Sequence, residues 1–234
     1  GGACGYQNNA NSSLAIADLD GDGHGEIYIG GLIVDSKGVL VAGDNDPSLG
    51  SIPFPGIACK MASSIAADVN GDGKLELVGG NRAIDATGAE VWSQKSLVDG
   101  WPAIADFNLD GKGELVVAVN GAVRVQDLAS GALLKTLATG KVAGAPVIAD
   151  FDGDGRNEVG IQHGSPCSFD LYEVADDFTL TRKWTRTLQA CSGWFTATAF
   201  DFNGDGRVEV VTHDDNFVWI LDGSTGDVSL KLPA

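Results

Sequence analysis

Five times the chain sets carboxylates or carboxamides at alternate positions of a nine-residue stretch. The copies read DLDGDGHGE at 18–26, DVNGDGKLE at 68–76, DFNLDGKGE at 106–114, DFDGDGRNE at 150–158 and DFNGDGRVE at 201–209. Each has Asp, then Asp or Asn, then Asp, then Glu at relative positions 1, 3, 5 and 9, with Gly always at position 6. Oxygens spaced in this way on a tight loop converge on one point, which suits a hard cation that takes six to eight oxygen ligands, and the glycine permits the sharp turn. The chemistry expected is calcium binding, at about five sites of structural character.

The charge of the chain follows the same residues. Its formal net charge is −17, and the five stretches carry 17 carboxylates at those positions. Five bound Ca²⁺ would bring the charge to about −7, ordinary for a soluble surface. Such acidity argues against nucleic acid, which needs clustered Lys and Arg. Hydrophobic residues make up 44% of the 234 and charged residues 20%, both globular values. No apolar stretch has the length of a membrane span.

The elements that must position these loops are short and β-rich. Leu14-Ala15-Ile16-Ala17 leads into the first copy and Ile27-Tyr28-Ile29 leaves it; Val147-Ile148-Ala149 precedes the fourth, and Leu115-Val116-Val117 follows the third. A helical calcium loop of the EF-hand type would need Glu at position 12, where this chain has Ile29, Gly79, Val117, Ile161 and Thr212. Each loop therefore joins a first strand to a second. A second turn signal comes 17 to 21 residues after the loop's first Asp, at Asp35-Ser36-Lys37-Gly38, Asp85-Ala86-Thr87-Gly88, Asp127 to Gly131 and Asp222 to Gly226. It reads as a hairpin between a third strand and a fourth. In the fourth unit Asp176-Asp177 is the expected counterpart.

The loops recur every 38 to 51 residues, the period of propeller blades. The fold expected is all-β: a β-propeller, or an arc of one, with five four-stranded blades and a calcium loop between strands 1 and 2 of each. The blades are placed at about 14–57, 62–97, 101–139, 144–190 and 194–234, after a lead-in at 1–13. Whether five blades close a ring or belong to a larger propeller stays open.

These units resemble the FG-GAP and VCBS repeat family, found in integrin α-subunit propellers and in bacterial secreted proteins. Gly144-Ala145-Pro146 ahead of Val147-Ile148-Ala149-Asp150 matches the GAP element, and Gly100-Trp101-Pro102 is a variant of it. The resemblance spans about residues 14 to 232. It implies side-chain ligands at Asp18, Asp20, Asp22 and Glu26, and at Asp68, Asn70, Asp72 and Glu76. The third set is Asp106, Asn108, Asp110 and Glu114, the fourth Asp150, Asp152, Asp154 and Glu158, the fifth Asp201, Asn203, Asp205 and Glu209. At position 7, His24, Lys74, Lys112, Arg156 and Arg207 would offer backbone carbonyls with their side chains in solvent. Glu at position 9 departs from the integrin loops, and the FG dipeptide is missing, which favours the VCBS-like branch. Copies one and four, with most carboxylates, are ranked the tightest.

Cys4, Cys59, Cys167 and Cys191 form an even set without a CxxC pair, as in a secreted, oxidising setting. The pairings expected are Cys4 with Cys59 and Cys167 with Cys191. His24, His163 and His213 show no metal spacing, and no nucleophile, phosphate-loop or dinucleotide motif is present. Among the tryptophans, Trp92, Trp184 and Trp219 read as packing between blades, while Trp101 and Trp194, ahead of first strands, are candidates for stacking on a ligand. The function expected is an extracellular, integrin-like calcium-binding module for adhesion or recognition, non-catalytic, with a protein or glycan ligand at one propeller face. It has no nucleic-acid partner, and further blades or domains of a longer chain are a candidate addition. The alternative is a carbohydrate-binding or polysaccharide lyase-like propeller acting on glycans.

Overall fold

In the computed structural model, the described residues are 14–43, 51–52, 61–164, 166–189, 191 and 196–234. They build five four-stranded antiparallel sheets, each a simple meander, and one two-stranded ladder. Sheet one holds β1 (Ala15–Ala17), β2 (Glu26–Ile29), β3 (Leu32–Val34) and β4 (Leu40–Ala42); β5 (Ser51–Ile52) and β6 (Met61–Ala62) make the ladder. Sheet two holds β7 (Ile65–Ala67), β8 (Glu76–Val78), β9 (Arg82–Ile84) and β10 (Glu90–Ser93). Sheet three holds β11 (Trp101–Ala105), β12 (Glu114–Val119), β13 (Ala122–Asp127) and β14 (Leu133–Ala138). Sheet four is made of β15 (Ala143–Ala149), β16 (Glu158–Gly164), β17 (Cys167–Val174) and β18 (Leu180–Thr187). Sheet five is made of β19 (Thr198–Phe200), β20 (Glu209–His213), β21 (Phe217–Leu221) and β22 (Val228–Pro233). Four-stranded antiparallel meanders of this kind are the blades of propeller-like folds. Among the described residues no helix is long and apolar enough to cross a membrane.

The acidic stretches sit where strand pairing has to reverse. Ala17 pairs with Glu26, Ala67 with Glu76, Ala149 with Glu158 and Phe200 with Glu209, so position 9 is the first paired residue after the loop. The Asp-to-Gly segments close the outer hairpins as expected. Asp35 accepts the N–H of Lys37 and of Val39 through its side chain, and Asp85 does the same for Thr87 and Ala89. The fourth unit differs in register. Its turn runs from Ala175 to Thr179, whose carbonyl accepts the Ala175 N–H, and Phe178 takes the left-handed conformation (φ 63°) that glycine takes at Gly38 and Gly88. Asp176 and Asp177 are inside this turn and do not open it.

The chain packs as two compact units, Gly1–Pro102 with Asp127–Ala132, and Ala103–Gln126 with Leu133–Ala234. In the first, Leu19, Tyr28, Ile33, Leu77 and Ile84 form a buried core between sheets one and two. In the second, Phe151, Phe169, Leu171, Val210, Trp219 and Leu221 do so between sheets four and five. The apolar residue at loop position 2 thus plugs a core in both. Leu19, Val69, Phe107 and Phe151 are buried, whereas Phe202 is 56% exposed.

The indoles of Trp92 and Trp184 make one repeated contact. Trp92 Nε1 donates to the Leu128 carbonyl at 3.0 Å, and Trp184 Nε1 to the Gly223 carbonyl at 2.8 Å. Each ring lies flat on a glycine, Gly131 or Gly226, where a Cβ would run into the indole. Both belong to fourth strands and reach the outer turn of the next sheet, so their role is packing between neighbouring sheets, as the sequence suggests. Cys167 and Cys191 form the expected disulfide, with Cα atoms 5.5 Å apart. Cys4, Cys59 and Trp194 lie outside the described residues.

Candidate metal centre

Each loop is wound on its first Asp. One oxygen of Asp18, Asp68, Asp106, Asp150 and Asp201 accepts the position-6 glycine N–H at 2.8–3.0 Å. In the first four loops the other oxygen accepts the position-5 N–H as well. The position-5 Asp then accepts the position-7 N–H at 2.8–2.9 Å, from His24, Lys74, Lys112, Arg156 and Arg207. Such bonds favour the ionised carboxylate: the N–H of Gly73 holds Asp68 below the usual carboxylate range, that of Gly206 does so for Asp201, and that of His24 for Asp22.

Two features of the loop were not read from the sequence. Position 4 as well as position 6 takes positive φ, with Gly21, Gly71, Gly153 and Gly204 at 73–78° and Leu109 at 61°. Leu109 is the only one of the five with a side chain, and a Cβ in that region costs about 1–2 kcal/mol. The second feature is the Glu at position 9. Glu26, Glu76, Glu114, Glu158 and Glu209 are all buried, and one oxygen of each accepts the position-2 N–H at 2.8–3.0 Å. The longer arm of Glu thus ties the acidic loop to its position-2 residue, the core plug of the first four loops. The hydrophobic residue at position 2 in every copy is the signal that would have revealed this.

The donor sets fit a hard cation unequally. In loop one, Asp18, Asp20 and Asp22 bring one oxygen each within 4.8 Å of one another, an all-oxygen cluster suited to a divalent ion. In loops two, three and five an Asn at position 3 accepts the position-5 N–H through its oxygen. Its amide donates to the neighbouring acids: Asn70 to Asp72 and Glu76, Asn108 to Asp110, Asn203 to Glu209. Loop four carries a full set of acids, with Asp150, Asp152 and Glu158 in one cluster and Asp154, Glu158 and Glu173 in another. It also carries a cation of its own. Lys183 of β18 places Nζ 2.5 Å from Asp152, 2.7 Å from Glu173 and 3.3 Å from Glu158.

Electrostatics reflect that guest. Burial alone would lower the Lys183 ammonium, but Asp152, Glu173 and Glu158 outweigh it and raise its pKa. The Lys183 hydrogen bond in turn holds Asp152 below its usual range. Burial pushes Glu158 up to about 7, because desolvation exceeds what the Phe151 N–H and Lys183 give back. Glu76, buried in loop two with no ammonium paired to it among the described residues, is also raised by desolvation.

The remaining candidates are placed as follows. The position-7 side chains do not all point to solvent: Arg156 reaches Asp176 at 2.6 Å and the Phe107 carbonyl at 3.4 Å. Trp101 opens β11, and its indole N–H is enclosed without a hydrogen-bond partner among the described residues. His213 is exposed, whereas His163 is fully buried, so the two do not share an accessible face.

Neither a protein-family model nor a curated protein sequence matches the chain. Solved structures similar to it are β-propeller-like proteins. The Vibrio cholerae biofilm matrix protein Bap1 aligns with a TM-score of 0.64 at 14% identity, over 94% of this chain and 61% of that one. BamB from Moraxella catarrhalis aligns at 0.55 and 16%, over 96% and 63%. An Agrocybe aegerita lectin, described by its recognition of non-reducing terminal N-acetylglucosamine, aligns at 0.51 and 17%, over 95% and 65%. The chain spans less than two thirds of each of these structures. At such identities the likeness concerns the fold.

Proposed function

We propose that the chain is an extracellular, calcium-steadied recognition module of the FG-GAP or VCBS kind, non-catalytic, with a glycan or protein as its ligand. The observation that carries this is the common winding of all five loops, in which Asp at position 1 gathers backbone N–H groups and Asp at position 5 accepts the position-7 N–H. Asp18, Asp20 and Asp22 would hold calcium best, and the ion would offset charges that otherwise repel within a tight turn. The disulfide between Cys167 and Cys191 supports an oxidising compartment. The propeller-like lectin among the similar structures, described by its recognition of N-acetylglucosamine, supports a glycan as ligand.

The lyase-like alternative is less well supported. His163, the histidine nearest to a cluster of cations, is sealed from solvent, and burial lowers its pKa to about 4, which leaves a weak base. A calcium titration by calorimetry, followed by a glycan array with and without EDTA, tests the proposal. Heat of binding and calcium-dependent glycan retention are expected. A calorimetric blank with no gain in melting temperature would overturn it.

A further inference from the structure

A cavity of about 340 Å³ lies within the second compact unit, between the outer strand of sheet three and the outer half of sheet four. Leu137, Ala138 and Thr139 line one side, and Lys141, Asp170, Tyr172 and Arg182 the other. Its volume is at the small end of ligand sites, which run from roughly 300 to 1,000 Å³. It shares no residue with the metal loops.

Alternation along β17 creates the polar wall. Ser168, Asp170 and Tyr172 point to one side, while Phe169 and Leu171 point into the core between sheets four and five. The register brings Thr185 opposite Asp170 and Arg182 opposite Tyr172. Asp170 is fully buried, yet the chain supplies its partners. Its Oδ2 accepts from Lys141 Nζ at 2.6 Å and from the Tyr172 hydroxyl at 3.1 Å, and its Oδ1 accepts from the Thr185 hydroxyl. These bonds outweigh the burial that would raise it and hold Asp170 below its usual range. His163 stands 3.7 Å behind it, neutral near pH 7.

With Asp170 satisfied, positive charge is left over. Lys141 spends two of its three N–H groups on Asp170 and Ser168. Arg182, 53% exposed, is 3.8 Å from Asp170, too far for a hydrogen bond, and its guanidinium makes none among the described residues. Two cations against one carboxylate leave the wall with a single net positive charge and an open guanidinium fork, facing an apolar patch at Leu137 and Ala138.

We propose that this cavity binds a monocarboxylate the size of one sugar unit, of the hexuronate class, with its carboxylate on the Arg182 fork and the third N–H of Lys141. The ring would lie over Leu137 and Ala138, with hydroxyls toward Thr139 and Tyr172. A fork that accepts two parallel hydrogen bonds matches a carboxylate better than a neutral hydroxyl. The site goes beyond the calcium reading and stands on other residues, so either can fail alone.

The test is titration of the full chain with D-galacturonate, D-galactose and inorganic sulfate, followed by NMR or calorimetry, once in calcium and once in EDTA. Saturable galacturonate binding is expected in both conditions, with galactose and sulfate at least about tenfold weaker. Arg182→Gln, a change at a half-exposed side chain, should weaken galacturonate about tenfold or more at an unchanged melting temperature, and Arg182→Lys should fall between. Three results would each overturn the proposal: no saturable binding of galacturonate, equal binding of galactose or sulfate, or equal affinity in Arg182→Gln. Calcium heat without galacturonate binding would remove this site and leave the loops; the reverse would remove the loops and leave this site.

Discussion

Sheets one and four carry the same four loop acids and solve their repulsion in different ways. Sheet one has strands of three or four residues, and its loop, at Asp18, Asp20, Asp22 and Glu26, forms no ion pair with an ammonium among the described residues, Lys37 acting on Asp22 only through space. Sheet four has strands of seven or eight residues, a disulfide across its outer hairpin, and Lys183 set among Asp152, Glu158 and Glu173. Counting carboxylates ranks both loops as the tightest metal sites. The ammonium separates them, because a divalent ion entering loop four must compete with a charge already there. An acid-rich motif therefore does not state its affinity without the residue that faces it from another strand.

That difference can be broken most severely by chelation. Calcium at a thousandfold excess over its dissociation constant stabilises a site by about 4 kcal/mol, and EDTA should remove this mainly from sheet one. Differential scanning calorimetry of Asp18→Ala and Asp150→Ala variants checks it: the calcium-dependent shift in melting temperature should nearly vanish in the first and largely persist in the second. Acid should act on the other partner of the comparison. His163 in β16 ordinarily titrates at 6.5 and is lowered to about 4 by burial, so the unfolded chain takes up the proton first. The stability it lends is complete above about pH 6.5 and is lost as pH falls to about 4, a share of about 3 kcal/mol that opposes the gain from Glu158, whose raised carboxyl takes up a proton over nearly the same range, so urea melts should show it as the difference between the wild type and His163→Gln.

A smaller effect tests the ammonium itself. Lys183→Met should cost about 2 kcal/mol in EDTA, since it leaves Glu158 buried without its cation, a value reduced because Lys183 is 22% exposed. The same variant should bind calcium at loop four more tightly, and an unchanged stoichiometry and affinity by calorimetry would remove the idea that Lys183 competes. The smallest effect sharpens the comparison with loop three, whose acids are fewer and whose backbone is strained. Leu109→Gly should raise stability by about 1 kcal/mol in chemical denaturation, because the φ of 61° suits glycine and the side chain is exposed.

Much of this was legible in the sequence. Alternating acids with glycine at position 6, short apolar flanks and the Asp-to-Gly turns identified four strands per unit, and five such sheets are present. The pairing of Cys167 with Cys191 was legible because the two cysteines bracket one hairpin. The rest depended on residues brought together from distant strands. Lys183 is 25 positions from Glu158, and nothing in its own neighbourhood marks it as a counterion. The cluster around Asp170 was hidden for the same reason: Lys141, His163, Tyr172 and Arg182 are scattered in sequence, and only strand register gathers them. The fourth outer turn lies at Asp176-Asp177 as expected, but it opens one residue earlier, at Ala175, and Phe178 takes the conformation that glycine takes in the other turns. Arg156, assigned to solvent, found Asp176 because a longer hairpin brought that acid within reach.

The bond between the buried Glu and the position-2 amide gives the molecule five built-in reporters. Leu19, Val69, Phe107, Phe151 and Phe202 each hide one N–H behind a carboxylate at the start of a second strand. That N–H can trade its proton for deuterium only when its loop lets go of the strand. Five exchange rates followed residue by residue would therefore time the opening of five loops separately, in a chain whose bulk melting curve would blend them into one.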